Sequence, residues 1–307
     1  MSKAEPLRVG ILGGGHWGQA LARLALAAGN EPLIAYRDKK DKPPHILKST
    51  KDAPEVSKSC ELIIVATSAS AVRNAIRLAK PGPNNRVVVA GRGIEPDSGK
   101  WLSQVVSEEC DTLRLGALAG PAPAAEILNG GLCAGVISSH FEEVRSLTTR
   151  ALHSSRFRVY ESDDLTGTQL ASAIVPVLAT LVGLATTLGG SGVGLHAMVL
   201  SRGIAEAGRL AGAIGGRPDT MAGLAGIGDL VAVHGKSGSH YFDAGVQLAK
   251  GKRKKGPTEV ARTLVRLAKE AHVELPLTEG LVAIYDGLDP LDAVSALMGR
   301  EAMPERW

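Results

Sequence analysis

The sequence predicts an α/β protein in which a doubly wound parallel sheet is followed by an all-helical domain. Short apolar, β-branched runs alternate with helix-like segments through the first half of the 307-residue chain. A glycine-rich turn joins the first run to the first helix, and from Asp163 onward the apolar spacing is helical throughout. Repeated strand–helix units form parallel sheets with helices on both faces. We therefore expect one domain over residues 1–162 and a second over 163–307.

The first strand and the turn after it carry the most informative pattern. Residues 7–12 read LRVGIL, the next six read GGGHWG, and a second run, PLIAYR, occupies 32–37 after an intervening helix. In the spacing G-x-G-x-x-G, Gly13 permits a tight turn, Gly15 lets the backbone approach a pyrophosphate, and Gly18 lets the helix pack on the strand. This context predicts a Rossmann domain that binds a dinucleotide at a helix N-terminus. The alternative is a plain glycine turn.

The end of the second strand bears on the choice of dinucleotide. An acidic residue at this point accepts from the ribose 2′-hydroxyl of NAD, whereas an arginine accommodates the 2′-phosphate of NADP. Arg37 and Lys39 favour NADP, although Asp38 lies between them and could still serve NAD. The cofactor prediction is therefore NADP, or NAD, and a solvated basic loop is the alternative for Arg37.

The remaining elements follow in alternation and then become helical. In the first domain we expect strands at 62–66, 86–90, 113–118, 136–137 and 157–160, with helices at 69–79 and near 97–109. In the second we expect helices near 164–188, 195–214, 239–250, 257–271, 275–287 and 289–298. In the second of these helices Arg202 and Glu206 stand four residues apart, a spacing that favours an ion pair.

Composition excludes several classes of function. Lys and Arg number 35 against 31 Asp and Glu, and the net charge of +4 is too mild to indicate nucleic-acid binding. Aromatic residues make up only 3%, too few for a base-stacking surface. Cys60, Cys110 and Cys133 lie far apart without a C-x-x-C pair, so we expect no metal site and no disulfide framework. Free thiols and the absence of a signal-peptide pattern at the N-terminus favour the cytoplasm.

One apolar run is long enough to span a membrane. Residues 170–188, LASAIVPVLATLVGLATTL, contain no charge over 19 positions. The run includes Pro176 and several hydroxyl residues, and it lacks flanking Lys or Arg anchors. We interpret it as a buried core helix, with a membrane span as the weaker alternative.

Six short motifs occur in a fixed order: GGGHWG at 13–18, GRGIE at 91–95, GPAPAAE at 120–126, FRVY at 157–160, SRGIAE at 201–206 and TMAGLAGIGDL at 220–230. Together they resemble one enzyme family, the NAD(P)-dependent glycerol-3-phosphate dehydrogenases. The last motif is the most specific, and the similarity runs from about Leu7 to Arg300. The resemblance implies a Rossmann domain joined to an all-helical domain like the C-terminal domain of 6-phosphogluconate dehydrogenases. It also implies a small-molecule substrate and a homodimer.

The resemblance also assigns roles to residues. It implies cofactor contacts in the glycine loop, including His16 and Trp17, and backbone contacts near the nicotinamide. A further acidic cofactor contact and a catalytic aspartate are implied in the second domain. The implied cofactor residues, besides Arg37, are Gly13, Gly15, His16, Trp17, Gly18, Arg92, Gly120, Ala122, Ala124 and Glu259, and the aspartate is Asp229.

The chain departs from the family pattern where the chemistry is expected. The family's Lys-Asn pair, whose lysine is the expected proton donor, aligns with Val175 and Pro176. The family's lysine before Gly-Ile-Glu is Arg92, whose planar guanidinium is not equivalent to an ammonium group. A Ser-Arg-Asn run that holds substrate phosphate aligns with 239–241, which read Ser-His-Tyr.

A replacement site is conceivable in the polar segment after Asp229. Residues 234–241, HGKSGSHY, hold several groups that can donate a proton, and a histidine near its unperturbed pKa is a competent acid at neutral pH. We list Asp229, His240 and Lys236 as candidate catalytic residues, and as substrate contacts Arg92, Gly120, Ser239, His240 and Tyr241. The alternative is a polar surface loop. Two hypotheses follow: an oxidoreductase that moves hydride to or from a small, phosphorylated hydroxy or keto compound, with an altered substrate, or a dinucleotide-binding pseudoenzyme.

Overall fold

The computed structural model describes residues 5–188, 192–233, 239–252 and 257–301. The chain divides into two compact units, Met1–Leu165 and Thr166–Trp307. The roles expected of the two domains, cofactor binding and substrate binding, remain predictions.

The first unit is built around one eight-stranded sheet. The strands are β1 (Arg8–Leu12), β2 (Glu31–Ala35), β3 (Ser49–Thr50), β4 (Leu62–Val65), β5 (Arg86–Val89), β6 (Leu115–Ala119), β7 (Cys133–Ser138) and β8 (Phe157–Ser162). Its helices are α1 (His16–Ala27), α2 (Ala53–Ser59), α3 (Val72–Ala79), α4 (Leu102–Glu109), α5 (Ala124–Leu128) and α6 (Glu142–Leu152). Short 3₁₀ turns lie at Lys39–Asp41 and Ala69–Ala71. The sequence pattern missed β3, α2, α5 and α6, and the second predicted strand ends at Ala35, before Arg37.

The strand order is β3-β2-β1-β4-β5-β6-β7-β8. Central strand β4 is buried along its whole length, because helices cover both faces. Ile64 belongs to the apolar core on one face and its neighbour Ile63 to the core on the other, as the alternation of side chains along a strand requires. The predicted doubly wound α/β fold is confirmed.

One strand pairing departs from the expected parallel sheet. β7 runs antiparallel to β6, with Leu118 opposite Ile137. The connection between them, residues 120–132, contains one short helix, α5. After this helix the chain turns back beside β6, as antiparallel neighbours do, instead of making the crossover that a parallel strand requires.

In the described residues, the second unit contains helices and no strand. Its helices are α7 (Leu165–Thr187), α8 (Val193–Ala213), α9 (Pro218–Ala222), α10 (Asp229–Val233), α11 (His240–Ala249), α12 (Thr258–Glu270), α13 (Pro276–Asp286) and α14 (Pro290–Met298). A π-helical turn, Leu224–Gly228, leads into α10. Six of these helices were predicted from apolar spacing, whereas the short α9 and α10 were not.

The long apolar run forms the core helix of the second unit. α7 has an 18-residue window of mean hydropathy 1.9, and 89% of that window is buried inside the protein. Pro176 lies inside this helix. It has no N–H to donate, so the helix loses one backbone hydrogen bond at this position. The burial agrees with the interpretation of a core helix.

Glu206 does not form the ion pair expected with Arg202. Its side chain is only 4% exposed, and it accepts hydrogen bonds from the backbone N–H of Leu277 at 3.0 and 3.3 Å. Burial raises the pKa of Glu206 to about 7. The carboxyl group caps the first turn of α13, where free N–H groups favour an acceptor. Sequence spacing alone missed this role because the partner lies 71 positions away.

Candidate functional site

The strand order of the first unit reverses direction at β1, which has β2 on one side and β4 on the other. In open α/β sheets, ligands bind beyond the carboxyl ends of the strands at such a reversal. Gly13 follows β1 at this edge, and its N–H donates to the carbonyl of Ala35, at the end of β2, at 2.9 Å. The glycine loop therefore lies at the position where this fold binds its ligands.

Two of the loop glycines lie where a side chain has no room. Gly13 has a φ of +124°, and a Cβ there would lie 2.6 Å from the Ala66 carbonyl oxygen. A Cβ on Gly18 would lie 1.9 Å from the Gly13 carbonyl oxygen. The first turn of α1 thus packs directly on the loop backbone.

Gly15 differs from both, because no atom lies within 4 Å of its ideal Cβ position. It is the N-cap residue of α1; no side chain caps this end, and no acidic residue lies in the first turn. An uncapped helix start beside open space presents backbone N–H groups to an anion. The loop fits the pyrophosphate of a dinucleotide.

Trp17 links the start of α1 to the backbone just after strand β5. Its indole Nε1–H donates to the carbonyl oxygen of Ala90, just after β5, at 2.8 Å. The indole packs against the apolar core of this face of the sheet, while His16, the first residue of α1, is exposed. A direct contact of either residue with cofactor stays a prediction.

Arg37 lies two residues beyond the end of β2. Its side chain is 75% exposed and pairs with the neighbouring Asp38, with Nη2 3.1 Å from Oδ2. The guanidinium is therefore accessible to a phosphate. Its attraction to the phosphate would compete with this ion pair.

The segment after β5 holds Arg92, in the middle of the GRGIE motif. Gly93 adopts a φ of +97°, Ile94 is buried, and the Glu95 carboxylate is bound by Arg73 of α3. No sequence pattern indicated the contact between Glu95 and Arg73. Arg92 itself is partly exposed and has its own polar partners.

The predicted backbone contacts near the nicotinamide follow β6. Gly120 has a φ of +122°, and a Cβ there would lie 3.1 Å from the Cα of Gly135 on β7. The N–H of Ala122 donates to the Gly120 carbonyl at 2.8 Å, and Ala124 begins α5. These residues form a tight turn at the carboxyl end of β6, whose cofactor role remains a prediction.

In the second unit, Asp229 is the first residue of α10 and is 1% exposed. It has helical dihedral angles, φ −68° and ψ −39°, whereas an N-cap residue is extended. Asp229 is therefore part of the helix and does not occupy an N-cap position. Asp229 takes part in at least one polar or electrostatic interaction within the protein.

The structure describes only residues 239–241 of the polar segment 234–241. Ser239 caps α11 by accepting from the N–H of Phe242 at 3.5 Å, and His240 is exposed at the first position of the helix. The rings of His240 and Tyr241 lie 3.8 Å apart between centroids. Lys236 and its neighbours at 234–238 lie outside the described residues.

The positions aligned with the family's Lys-Asn pair are packed. Val175 and Pro176 are buried in α7, with Val175 fully inaccessible. The Thr180 hydroxyl donates to the carbonyl of Pro176 at 2.9 Å and lies 3.1 Å from the carbonyl of Tyr241, which it also contacts. Around these positions the second unit has an apolar core instead of an accessible amine.

The crossing of α7 and α11 depends on two further glycines. A Cβ on Gly183 would lie 2.1 Å from the Phe242 carbonyl oxygen, and one on Gly245 would lie 1.9 Å from the Thr180 carbonyl oxygen. The two helix backbones are in direct contact.

Glu259, the predicted acidic cofactor contact, is exposed in the first turn of α12. In the described residues, no group of His, Cys, Asp and Glu is arranged to hold a metal ion.

Comparison with known proteins identifies the family. The profile of the NAD-dependent glycerol-3-phosphate dehydrogenase N-terminus matches residues 39–145, and that of the C-terminus matches residues 164–295. A glycerol-3-phosphate dehydrogenase (NAD(P)+) of Pseudomonas savastanoi pv. phaseolicola is 34% identical over 98% of this chain and 96% of its own length. One of Mesorhizobium japonicum is 31% identical over 97% of this chain and 94% of its own length.

A solved structure agrees with these relatives. The glycerol-3-phosphate dehydrogenase from Coxiella burnetii is 25% identical and superposes with a TM-score of 0.84 over 96% of this chain and 99% of its own. These relatives are dehydrogenases, and none of them favours the pseudoenzyme alternative over an oxidoreductase. The chain belongs to the NAD(P)-dependent glycerol-3-phosphate dehydrogenase family.

Proposed function

We propose that this protein binds NADPH, or NADH less tightly, and moves hydride between the nicotinamide and a small phosphorylated hydroxy or keto compound. The single observation that carries the proposal is the uncapped start of α1 beside the open space at Gly15. The full-length similarity to dehydrogenases supports it. Glycerol 3-phosphate and dihydroxyacetone phosphate are the first pair to test.

The cofactor site is proposed at the carboxyl edge of the first unit. The backbone of Gly13, Gly15 and Gly18 would receive the pyrophosphate, and Arg37 the 2′-phosphate. Arg37 is exposed, and a hydrogen bond to a charged group contributes about 1.5–3 kcal/mol when well formed. Bound NADPH supplies the hydride. The turn at Gly120, Ala122 and Ala124 would place backbone groups near the nicotinamide.

The substrate needs a proton as well as a hydride when a ketone becomes an alcohol. Val175 has no proton to give. We propose that Asp229 orients the substrate oxygen and that His240 or Lys236 donates the proton, with Ser239, Tyr241 and Arg92 as further substrate contacts. His240 is exposed at the start of α11, where the backbone N–H groups favour an anion such as a phosphate.

The assembly and location are also proposals. The family resemblance supports a homodimer. The three cysteines are free, and burial raises the pKa of the Cys60 and Cys110 thiols. Free thiols are typical of a reducing cytoplasm.

Two measurements test the function. Calorimetry with NADPH and NADH should show binding of both, with NADPH tighter. Steady-state reduction of dihydroxyacetone phosphate at 340 nm should give turnover below the ordinary range of about 1–10³ per second, because the family's lysine is absent. A protein that binds neither nucleotide would contradict the proposal. Turnover in the ordinary range would contradict the view that Val175 weakens catalysis.

A further inference from the structure

The segment that carries Arg92 is anchored at both of its ends. Before it, the Ala90 carbonyl accepts from the Trp17 indole at 2.8 Å. At Gly91 the backbone approaches the loop after β4 so closely that a Cβ would lie 2.9 Å from the Thr67 carbonyl oxygen. After it, Glu95 has a buried side chain. Arg92 therefore projects from a short stretch of backbone between fixed points.

Glu95 is held by a two-pronged contact with Arg73. The Nε of Arg73 donates to Oε1 at 2.8 Å, and its Nη2 donates to Oε2 at 2.6 Å. The Ser98 hydroxyl donates to the same Oε2 at 2.5 Å. These contacts, that of Arg73 above all, lower the pKa of Glu95 from its usual range. Planar bidentate pairs of this kind fix orientation as well as distance.

Arg73 is itself fixed on α3 by two carboxylates of α4. Its Nη2 lies 2.9 Å from Glu108 and its Nη1 lies 2.5 Å from Glu109. Arg77, one turn further along α3, also binds Glu109, at 2.6 Å. Arg77 thus belongs to the same ion cluster through Glu109, whereas the bidentate contact with Glu95 is made by Arg73.

We propose that Arg73 and Glu95 are positioning residues, which hold the segment Gly91–Glu95 so that the Arg92 guanidinium is preorganised to bind the phosphate of the substrate. The inference rests on the proposed function, which supplies the anionic ligand for Arg92. A cation on fixed backbone loses less conformational freedom on binding than one on a mobile loop. Neither Arg73 nor Glu95 is expected to touch the substrate.

The test measures the affinity of dihydroxyacetone phosphate for the NADPH complex by calorimetry, which requires no turnover. Glu95→Gln keeps the shape of the side chain and removes its charge, so we expect about tenfold weaker binding of dihydroxyacetone phosphate. NADPH affinity should change by less than about twofold, because the glycine loop is untouched. Arg77→Ala is the matched control in the same ion cluster and should leave both affinities unchanged.

A double-mutant cycle separates positioning from a general structural effect. In an Arg92→Ala background, Glu95→Gln should cause little further loss, because the group it positions is gone. If Glu95→Gln does not fold, Arg73→Lys replaces it: the charge remains but the planar fork is lost. The same tenfold loss is expected for this variant.

The outcomes distinguish this inference from the proposed function. Additive losses in the cycle, or equal losses in Glu95→Gln and Arg77→Ala, would overturn the positioning role while wild-type binding of dihydroxyacetone phosphate stands. If the wild-type NADPH complex does not bind dihydroxyacetone phosphate, the proposed substrate and the role of the pair are both wrong.

Discussion

The glycine loop of the first unit and the α7–α11 crossing of the second unit are built in the same way but have opposite results. In both, paired glycines bring two backbones into contact: Gly13 with Gly18 in the loop, and Gly183 with Gly245 at the crossing. In the loop, the close approach leaves open space beside Gly15. At the crossing, it accompanies a filled core around Val175. Close backbone packing therefore shapes a ligand site only where neighbouring groups stay unpaired and accessible.

The largest expected effect is the loss of stability caused by a charge placed in the filled core around Val175. Val175→Lys puts an amine where the side chain is fully buried, and an unpaired buried charge destabilises by about 3–5 kcal/mol. Burial lowers a lysine pKa below that of the unfolded chain. The loss of stability should therefore be largest near neutral pH and shrink as pH rises toward about 10. Urea unfolding between pH 7 and 10 measures it.

Val175→Met is the matched control, because it lengthens the side chain without adding a charge. Overpacking alone costs about 1–3 kcal/mol and does not vary with pH. Equal losses for both variants at every pH would show that the lysine amine reaches water. Faster reduction of dihydroxyacetone phosphate by Val175→Lys would further show that position 175 lines the substrate site.

The two units should also respond to pH in opposite directions. Glu206 of the second unit has a pKa raised to about 7, so its folded form holds a proton that the unfolded chain releases above about pH 4.5. Its contribution to stability is present in acid and is lost as pH rises through 7. Arg73 lowers the pKa of Glu95 in the first unit, so that contribution is lost as pH falls.

Glu206→Gln isolates this effect in the second unit. The amide oxygen can still accept from the Leu277 N–H, and the ionisation is gone. Between pH 5 and 8 the variant should lose about 2 kcal/mol less stability than the wild type. Denaturant titrations at the two pH values provide the measurement. Parallel pH profiles for the two proteins would mean that the Glu206 carboxyl ionises at its ordinary pKa.

The open space beside Gly15 leads to a prediction about NADPH affinity. Gly15→Val should weaken NADPH binding by about 10- to 100-fold, because the side chain occupies the space of one or two charge-assisted hydrogen bonds. The fold should survive, since nothing lies within 4 Å of the new Cβ. Gly82→Val is the control, in the turn before β5 at the opposite edge of the sheet, where only the Asn85 oxygen lies near, at 3.9 Å. Equal NADPH affinities for the two variants would show that the pyrophosphate does not bind at the glycine loop.

The smallest expected effect concerns cofactor choice. Arg37→Ala should lower the ratio of NADPH to NADH affinity by about 2- to 10-fold, less than a well-formed charge-assisted hydrogen bond contributes, because Arg37 is exposed and its ion pair with Asp38 competes. Asp38→Asn should raise the ratio, because it releases Arg37 from its ion pair. Calorimetry with both nucleotides tests the two variants together. A wild-type protein that binds NADH as tightly as NADPH would contradict this role of Arg37.

Periodicity predicted most of the fold. The glycine spacing placed the turn between β1 and α1, and apolar spacing placed the six longer helices of the second unit within a few residues. It missed α2, α5 and α6, whose short or polar segments resemble loops in a single sequence. It also missed that β7 runs antiparallel to β6, because the pattern within a strand does not show the direction of its pairing.

Sequence patterns predicted less about the side-chain contacts of the protein than about its fold. Local spacing suggested Arg202 as the partner of Glu206, but the actual partner is the start of α13, 71 positions away. Arg73 and Glu95 are 22 positions apart on different elements, so no periodicity joins them. Contacts of this kind depend on how strands are ordered in the first unit and on how helices pack in the second, and local spacing predicts neither.

The contact between α7 and α11 limits how the second unit can accommodate a charge at position 175. The backbone contacts at Gly183 and Gly245 hold the two helices against each other, so neither helix can shift aside to give a lysine amine a path to water. An accessible amine at this position would therefore require changes on both helices and not at Val175 alone.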